Sequence, residues 1–302
     1  MESFIKNTKI PFRKLYNFYP NDEYLLGKGA SGSVYRYTEN NVTLAVKMID
    51  SSGMDEGDFY EDILWQTIIM DSLKGLNGIV PFHSYDIYKN DYSTFVLFIM
   101  DFLPNSRDLY EYINEDHFWS RNLMDDLKKE DNISLSYTLP YSKKVSIAVS
   151  LIQSLYEIHE RGVIHADIKT GNIIINEEKV KLIDFGASIF TGEDDILTYT
   201  DWKHGTLGYR APEEEYHNLL GKPSDIYSLG VTLIELWSGS IWIDACDFKK
   251  TRNEVLRSLR MIEKKDIIIG NILRKCIDLN SKRRPKINKI LTLFKSLKKN
   301  YH

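Results

Sequence analysis

A chain of 302 residues with 43% hydrophobic and 27% charged side chains has material for one large domain or two lobes around a cleft. The net charge of −4 gives no attraction to nucleic acid or an anionic membrane, and short basic stretches such as Lys282–Arg284 and Lys298–Lys299 read as solvated faces. Two cysteines, Cys246 and Cys276, make neither a disulfide scaffold nor a clustered metal site. No signal peptide is visible at the start, and the most apolar segment, Phe95–Leu103, contains Asp101 and is too short to span a bilayer. The expectation is an intracellular protein, cytoplasmic or nuclear, with no nucleic-acid or membrane partner.

Along the chain, Tyr24 to Asp50 reads as strand, glycine turn, strand, a hairpin turn at Asn40-Asn41, and a third strand rich in β-branched residues. Asp58–Leu73 has apolar positions at mixed three and four spacing and predicts a helix. Short strands follow around Ile79–Ile87 and Thr94–Met100, and Pro104 breaks the chain before a further helix. From there the pattern is mostly helical. Ser142–Arg161 is a long amphipathic stretch stopped by Gly162, and Leu219–Gly239 is an apolar run too long for a strand, with Ser224 or Asp225 as its cap. Glu115–Leu139 is polar and reads as an inserted loop with some helix. The outline is a small strand-rich lobe, 1–102, joined near Asp101–Asn105 to a larger helical lobe, 103–302.

Gly27-Lys28-Gly29-Ala30-Ser31-Gly32-Ser33-Val34 places glycines at a strand-to-strand turn, where backbone N–H groups can approach a phosphate without interference from a Cβ. The next strand carries Ala45-Val46-Lys47, with a lysine that can meet phosphates beneath that turn. Further on, His165-Ala166-Asp167-Ile168-Lys169 leads to Asn172, and Leu182-Ile183 precede Asp184-Phe185-Gly186. Asn172, Asp167 and Asp184 offer the hard oxygen ligands that suit Mg²⁺.

In this order the motifs resemble the protein kinase family, from about Tyr24 to Ile290. Later markers agree: Gly205-Thr206, Tyr209, Ala211-Pro212-Glu213, Asp225-Ile226-Tyr227-Ser228-Leu229-Gly230 and Arg284-Pro285. The resemblance implies an α+β, two-lobed protein kinase-like fold, with a small antiparallel-sheet lobe carrying one helix and a larger helical lobe. It implies ATP with Mg²⁺ (Mn²⁺ as an alternative) and transfer of the γ-phosphate to protein serine or threonine hydroxyls. Asp167 then takes or orients the hydroxyl proton, and Lys169 neutralises charge on the transferred phosphate. Asn172 and Asp184 hold the metal, and Lys47 binds the α- and β-phosphates beneath Gly27, Gly29 and Gly32. Val34, Ala45 and Ile174 sandwich the adenine, Met100 backs its pocket, and Asp101 to Leu103 supply backbone hydrogen bonds; core packing is an equal reading for the apolar positions. Glu213 and Arg284 pair, and Asp225 caps the catalytic-loop backbone. Small-molecule kinases of the aminoglycoside and choline type lack the Ala-Pro-Glu segment.

Two positions depart from the family pattern. The helix glutamate that should pair with Lys47 is assigned to Glu61, although Gln66 fits the usual spacing better and carries no charge. Ala166 stands where regulated members carry an arginine that grips a phosphate on the activation segment. That arginine does no transfer chemistry, so the expectation is an enzyme whose segment from Asp184 to Glu213 orders without that phosphate. The alternative is a pseudokinase scaffold, whose usual sign is loss of Lys47, Asp167, Asn172 or Asp184; all four are present. Asp108, Glu111, Glu214 and Glu215 could favour a basic peptide, but solvated charges or charges that serve the fold are the preferred reading. Oligomeric state is not legible.

Overall fold

The computed structural model describes residues 13–29, 31–52, 56–89, 93–120, 139–176, 179–191, 198–200, 205–239, 241 and 247–299. They form two compact units. The first ends at Pro104 and takes in Asp184–Gly186, and the second holds the remainder.

The first unit is an antiparallel sheet of β1 (Leu25–Gly29), β2 (Gly32–Glu39), β3 (Val42–Asp50), β4 (Phe82–Lys89) and β5 (Thr94–Asp101), in the order β1-β2-β3-β5-β4. Asn40 and Asn41 both have positive φ, 52° and 63°, which suits the two-residue turn joining β2 and β3. Strand alternation then sorts the side chains. Tyr35, Tyr37, Leu44, Val46, Leu97 and Ile99 share one buried cluster with Leu15 and Phe18, from the segment that precedes β1. That segment is fixed by polar contacts too: the Leu15 N–H donates to Asp86 Oδ2 at 2.7 Å and the Arg13 N–H to the Tyr85 carbonyl at 3.0 Å. The alternate positions Val34, Ala45, Lys47 and Met100 therefore belong to the opposite face, with Ala45 in register with Met100. β4 begins at Phe82, later than the sequence pattern suggests, because Pro81 has no N–H for the ladder; its carbonyl instead accepts from the Asp101 N–H at 3.0 Å.

The unit's helix, α1 (Glu56–Ser72), covers the predicted stretch with its start moved two residues earlier. Phe59, Ile63, Gln66, Thr67 and Met70 are buried at helical spacing, while Glu61, Asp62 and Trp65 are exposed.

The second unit is mostly helical. In chain order it contains β6 (Arg107–Asp108), α2 (Leu109–Ser120), α3 (Tyr141–Glu160), β7 (Val163–Ile164), β8 (Ile173–Asn176), β9 (Lys179–Leu182), β10 (Ile189–Phe190) and β11 (Thr198–Tyr199). Then come α4 (Pro212–His217), β12 (Leu219–Leu220), α5 (Lys222–Ser238), α6 (Phe248–Lys265), α7 (Ile267–Cys276) and α8 (Ile287–Lys299). Its strands are short ladders, β6-β8-β9, β7-β10 and β11-β12, that pin loops among the helices. α5 is buried on nearly all sides, from Ser224 to Trp237, which is why its sequence reads as one apolar run. Its start differs from expectation. Leu219–Leu220 is a strand, Gly221 is the cap, and Ser224 Oγ accepts from the Gly221 N–H at 3.2 Å, while Asp225 is engaged elsewhere. The expected insertion begins within α2, but 121–138 lies outside the described residues. No helix among the described residues is long and apolar enough to cross a membrane.

Candidate active site

In the first unit, Lys47 is buried on β3 and its Nζ donates to Asp184 Oδ1 at 2.7 Å. Ser31 Oγ, at the tip of the glycine turn, donates to Asp184 Oδ2 at 2.5 Å. Burial pushes the Asp184 carboxyl up, but the Lys47 charge beside it and hydrogen bonds from Lys47, Ser31 and the Gly186 N–H outweigh that and hold it at about 2. Asp184 is thus a carboxylate at any working pH, on a backbone with φ 66°, a left-handed conformation that non-glycine residues seldom adopt. The glycines of the turn divide by cause. A Cβ on Gly32, whose φ is 123°, would lie 2.4 Å from the Met48 carbonyl oxygen, so the fold itself requires that glycine. A Cβ on Gly27 or Gly29 would meet nothing within 4 Å among the described residues, so packing against those residues does not explain them. A turn kept clear on its open side is what a phosphate cradle needs.

In the second unit the loop after β7 is held from below by α5. Asp225 accepts from the His165 N–H (Oδ2, 2.9 Å) and the Ala166 N–H (Oδ1, 2.9 Å), and lies 2.8 Å from His159 Nε2. His165 Nδ1 accepts from the Asp167 N–H at 3.3 Å, which leaves Nε2 as the donor to the Ile183 carbonyl at 3.1 Å and fixes the neutral tautomer. Ala166, at φ 64°, turns the chain so that Asp167 enters a polar cluster. Thr206 Oγ1 donates to Asp167 Oδ1 at 2.8 Å, Asn172 Nδ2 to Oδ2 at 2.7 Å, and Lys169 Nζ lies 2.9 Å from Oδ2. Lys169 Nζ also donates to Thr206 Oγ1 at 2.6 Å. An aspartate, a lysine and an asparagine are thereby held within one hydrogen-bonded group, with a fixed carboxylate as acceptor.

The protein kinase domain family model matches residues 21–294. The chain belongs to the protein kinase family. It is 29% identical over 239 residues to the LRR receptor-like serine/threonine-protein kinase GSO2 of Arabidopsis thaliana, covering 75% of this chain and 17% of that protein. With the serine/threonine-protein kinase CDG1 of the same plant it shares 31% over 227 residues, 72% of this chain and 46% of the relative. With the probable serine/threonine-protein kinase PBL15 of that plant, the identity is 30% over 227 residues, 72% and 47%. The kinase chain spans about half, or less, of the length of these relatives.

Within this kinase, the expected partner of Lys47 is not where the sequence reading put it. Glu61 is exposed on α1, and the carboxylate that meets Lys47 is Asp184. The α1 side chain near this pair is Gln66: a Cβ built on Gly186 would lie 3.8 Å from its Nε2. Five positions separate Glu61 from Gln66, so they stand on different faces of a helix with 3.6 residues per turn. Of the proposed adenine contacts, Ala45 is buried and Val34 and Met100 are half-buried on one sheet face, while Asp101 commits its N–H to Pro81. Leu103 is half-buried at the end of the first unit, and Ile174 is half-buried on β8 of the second. The basic-peptide expectation loses much of its support. Glu214 is buried, Glu215 accepts from Arg210 Nη1 at 2.8 Å, and Asp108 Oδ1 accepts from the Glu111 N–H at 2.7 Å at the start of α2.

Several residues escaped the sequence reading. Ser31 gives no signal in sequence beyond its place in a turn. Arg210 does give one, an arginine with glutamates four and five residues on. Thr170 and Glu235 were also missed: Thr170 and the marker Tyr209 both donate to Glu235 Oε2 on α5, at 3.1 and 2.6 Å, tying the catalytic loop to the segment before α4.

Two buried carboxyls give this kinase a pH signature. Burial pushes Glu235 up to about 7, against the hydrogen bonds from Tyr209 and Thr170. Burial pushes Glu214 up to about 9, only partly offset by Arg210; Glu214 Oε1 has no hydrogen-bond partner among the described residues, and Arg210 Nε is 3.6 Å away. At neutral pH the Glu214 carboxyl keeps its proton, and the ion pair of Arg210 is with Glu215. Above the ordinary value of 4.5 the unfolded carboxyl ionises while the folded one stays protonated, so stability falls as pH rises until the folded group ionises near 9. The slope from one group is at most about 1.4 kcal/mol per pH unit. Thermal unfolding at about pH 5 and about pH 8.5 should show the wild-type midpoint falling relative to Glu214→Gln; parallel behaviour of the two would contradict this.

Proposed function

We propose that the chain transfers the γ-phosphate of ATP to serine or threonine hydroxyls of protein substrates, and that it does so without a phosphate on its activation segment. The observation that carries the transfer reading is Asp167, a carboxylate oriented by Thr206, Asn172 and Lys169 so that one group accepts a hydroxyl proton beside a fixed ammonium. The donor set fits Mg²⁺: Asp184 is fully ionised, and Asn172 spends its amide N–H₂ on Asp167, leaving a carbonyl oxygen as a hard ligand. Asn172 and Asp184 would hold the ion, which when bound neutralises the phosphate charge. Lys47 supplies a buried ammonium for the phosphates of ATP, and the open turn at Gly27 and Gly29 supplies backbone N–H groups. Phosphoamino-acid analysis after incubation with labelled Mg–ATP and a Ser/Thr/Tyr peptide mixture tests the reading. Label on serine and threonine is expected; label on tyrosine alone, or none, would refute it.

Three features support ordering without a phosphate. The Ala166 methyl lies in an apolar cluster with Ile164 and Leu220, flanked by Ala187 and Ile189, a poor host for a charged side chain. β11 pairs with β12, and the Thr200 N–H donates to the Asn218 carbonyl at 2.8 Å, so main-chain bonds dock this part of the segment. Ser188 Oγ donates to the His165 carbonyl at 2.9 Å and ties the segment's start to the catalytic loop. Phosphatase-treated protein is expected to keep most of its transfer rate. Loss of nearly all activity on removing phosphate would sink this part of the reading.

A further inference from the structure

We infer that Arg210 is a positioning residue that presses the Gly205-Thr206 turn onto the catalytic loop, supplying from within the activation segment the guanidinium that position 166 lacks; this rests on the kinase reading above. Arg210 Nη2 donates to the Gly205 carbonyl at 2.9 Å, and Nη1 donates to Glu215 Oε2 at 2.8 Å. The side chain is 12% exposed, so these charge-assisted bonds are only weakly competed by water. Arg210 also closes the turn through its backbone, since its N–H and that of Tyr209 both donate to the Thr206 carbonyl, at 3.2 and 3.1 Å.

The turn it holds leaves no slack. Gly205 has φ 67°, and a Cβ there would lie 2.4 Å from the Ala166 carbonyl oxygen, so the two backbones touch. The next residue, Thr206, donates to Asp167 Oδ1 and accepts from Lys169 Nζ. A shift of Gly205 therefore moves the hydroxyl that orients both the proton acceptor and the ammonium. The chain of contacts runs from Glu215 through Arg210 and Gly205 to Thr206 and then Asp167, and every member is encoded in the unmodified chain. An arginine at 166 would require a phosphate brought to it, whereas Arg210 has its carboxylate partner five residues away.

The test uses the full, phosphatase-treated chain with wild type, Arg210→Ala and Arg210→Lys. For Arg210→Ala the expected result is a fall in kcat of roughly 10–100-fold, the scale of a small misplacement at the reacting groups, with KM for ATP unchanged. Arg210→Lys should recover only part of this, because an ammonium cannot bridge Gly205 and Glu215 in the fork geometry of a guanidinium. Hydrogen exchange should rise in peptides covering 205–211 and stay as in wild type across α5 and α3. If Arg210→Ala leaves both kcat and exchange at wild-type levels, or if lysine restores full activity, the inference is wrong. A general loss of exchange protection would likewise overturn it, by assigning Arg210 to fold stability. An inactive wild type whose 205–211 peptides still loosen in Arg210→Ala would defeat the kinase reading and leave the positioning contact standing.

Discussion

Asp167→Ala is expected to lower phosphate transfer by about 10²–10⁴-fold, the range that a positioned acid–base group contributes. Each carboxylate oxygen is engaged, Oδ1 by Thr206 and Oδ2 by Asn172 and Lys169, so the acceptor is aimed by three side chains, two of them bonded to each other. Truncation removes the acceptor for the hydroxyl proton and also releases the Lys169 ammonium from its nearest carboxylate. ATP binding should stay close to wild type, because Lys47, Asp184 and the glycine turn, which would hold the phosphates, belong to the first unit and Asp167 to the second. The comparison is a radiolabel transfer assay alongside nucleotide-binding and thermal-unfolding measurements. Equal incorporation by wild type and variant would refute Asp167 as the proton acceptor. No incorporation by either would favour a scaffold that keeps the kinase fold without the transfer.

Removing Arg284 should cost about 3–5 kcal/mol of stability, because it strands a buried carboxylate. Arg284 Nη1 and Nη2 donate to Glu213 Oε1 and Oε2 at 2.6 and 2.7 Å, its Nε donates to the Asp278 carbonyl at 2.9 Å, and Nη1 also reaches the Pro223 carbonyl at 2.7 Å. The guanidinium lies 5.1 Å from the centre of the Tyr227 ring, and Arg284 and Glu213 are both buried. With arginine gone, Glu213 keeps only Ser224 Oγ, at 3.0 Å, among the described residues, and the Asp278 and Pro223 carbonyls each lose a donor. Arg284→Ala in urea denaturation measures the effect, and Arg284→Lys should recover little of it, since one ammonium cannot make the two parallel bonds. A loss below about 1 kcal/mol would place the pair among screened surface contacts and contradict its assigned role.

What could be read in advance was what lies close together along the chain. The glycine turn, the strand with Lys47, the loop from His165 to Asn172 and the segment Ala211-Pro212-Glu213 announce themselves by residue type at short fixed spacing. The helices at 56–72 and 141–160 follow from apolar periodicity, which reports the buried face whatever it packs against. Local pattern failed where two signals competed. Ser224 and Asp225 look like caps for α5, but the Asp225 carboxylate is already taken by the His165 and Ala166 N–H groups, and Gly221 opens the helix.

The sequence by itself determined the family, most of the order of the elements and which side chains are candidates for phosphate chemistry, because those depend on composition and spacing that no distant residue can change. Only the tertiary structure decided how the charges pair. Charge favours Glu61 and spacing favours Gln66 until the helix is docked, and docking leaves Glu61 exposed and Lys47 bonded to Asp184, far along the chain. Glu214 reads as one of four surface acids until burial takes it from water and raises its pKa to about 9. Arg210 gains its partners Gly205 and Glu215 only once the turn before α4 closes. The cause is common to all three. A charge's partner and its hydration are set by distances of a few ångströms, whether the segments are near or remote in sequence, and those distances exist only in the folded chain.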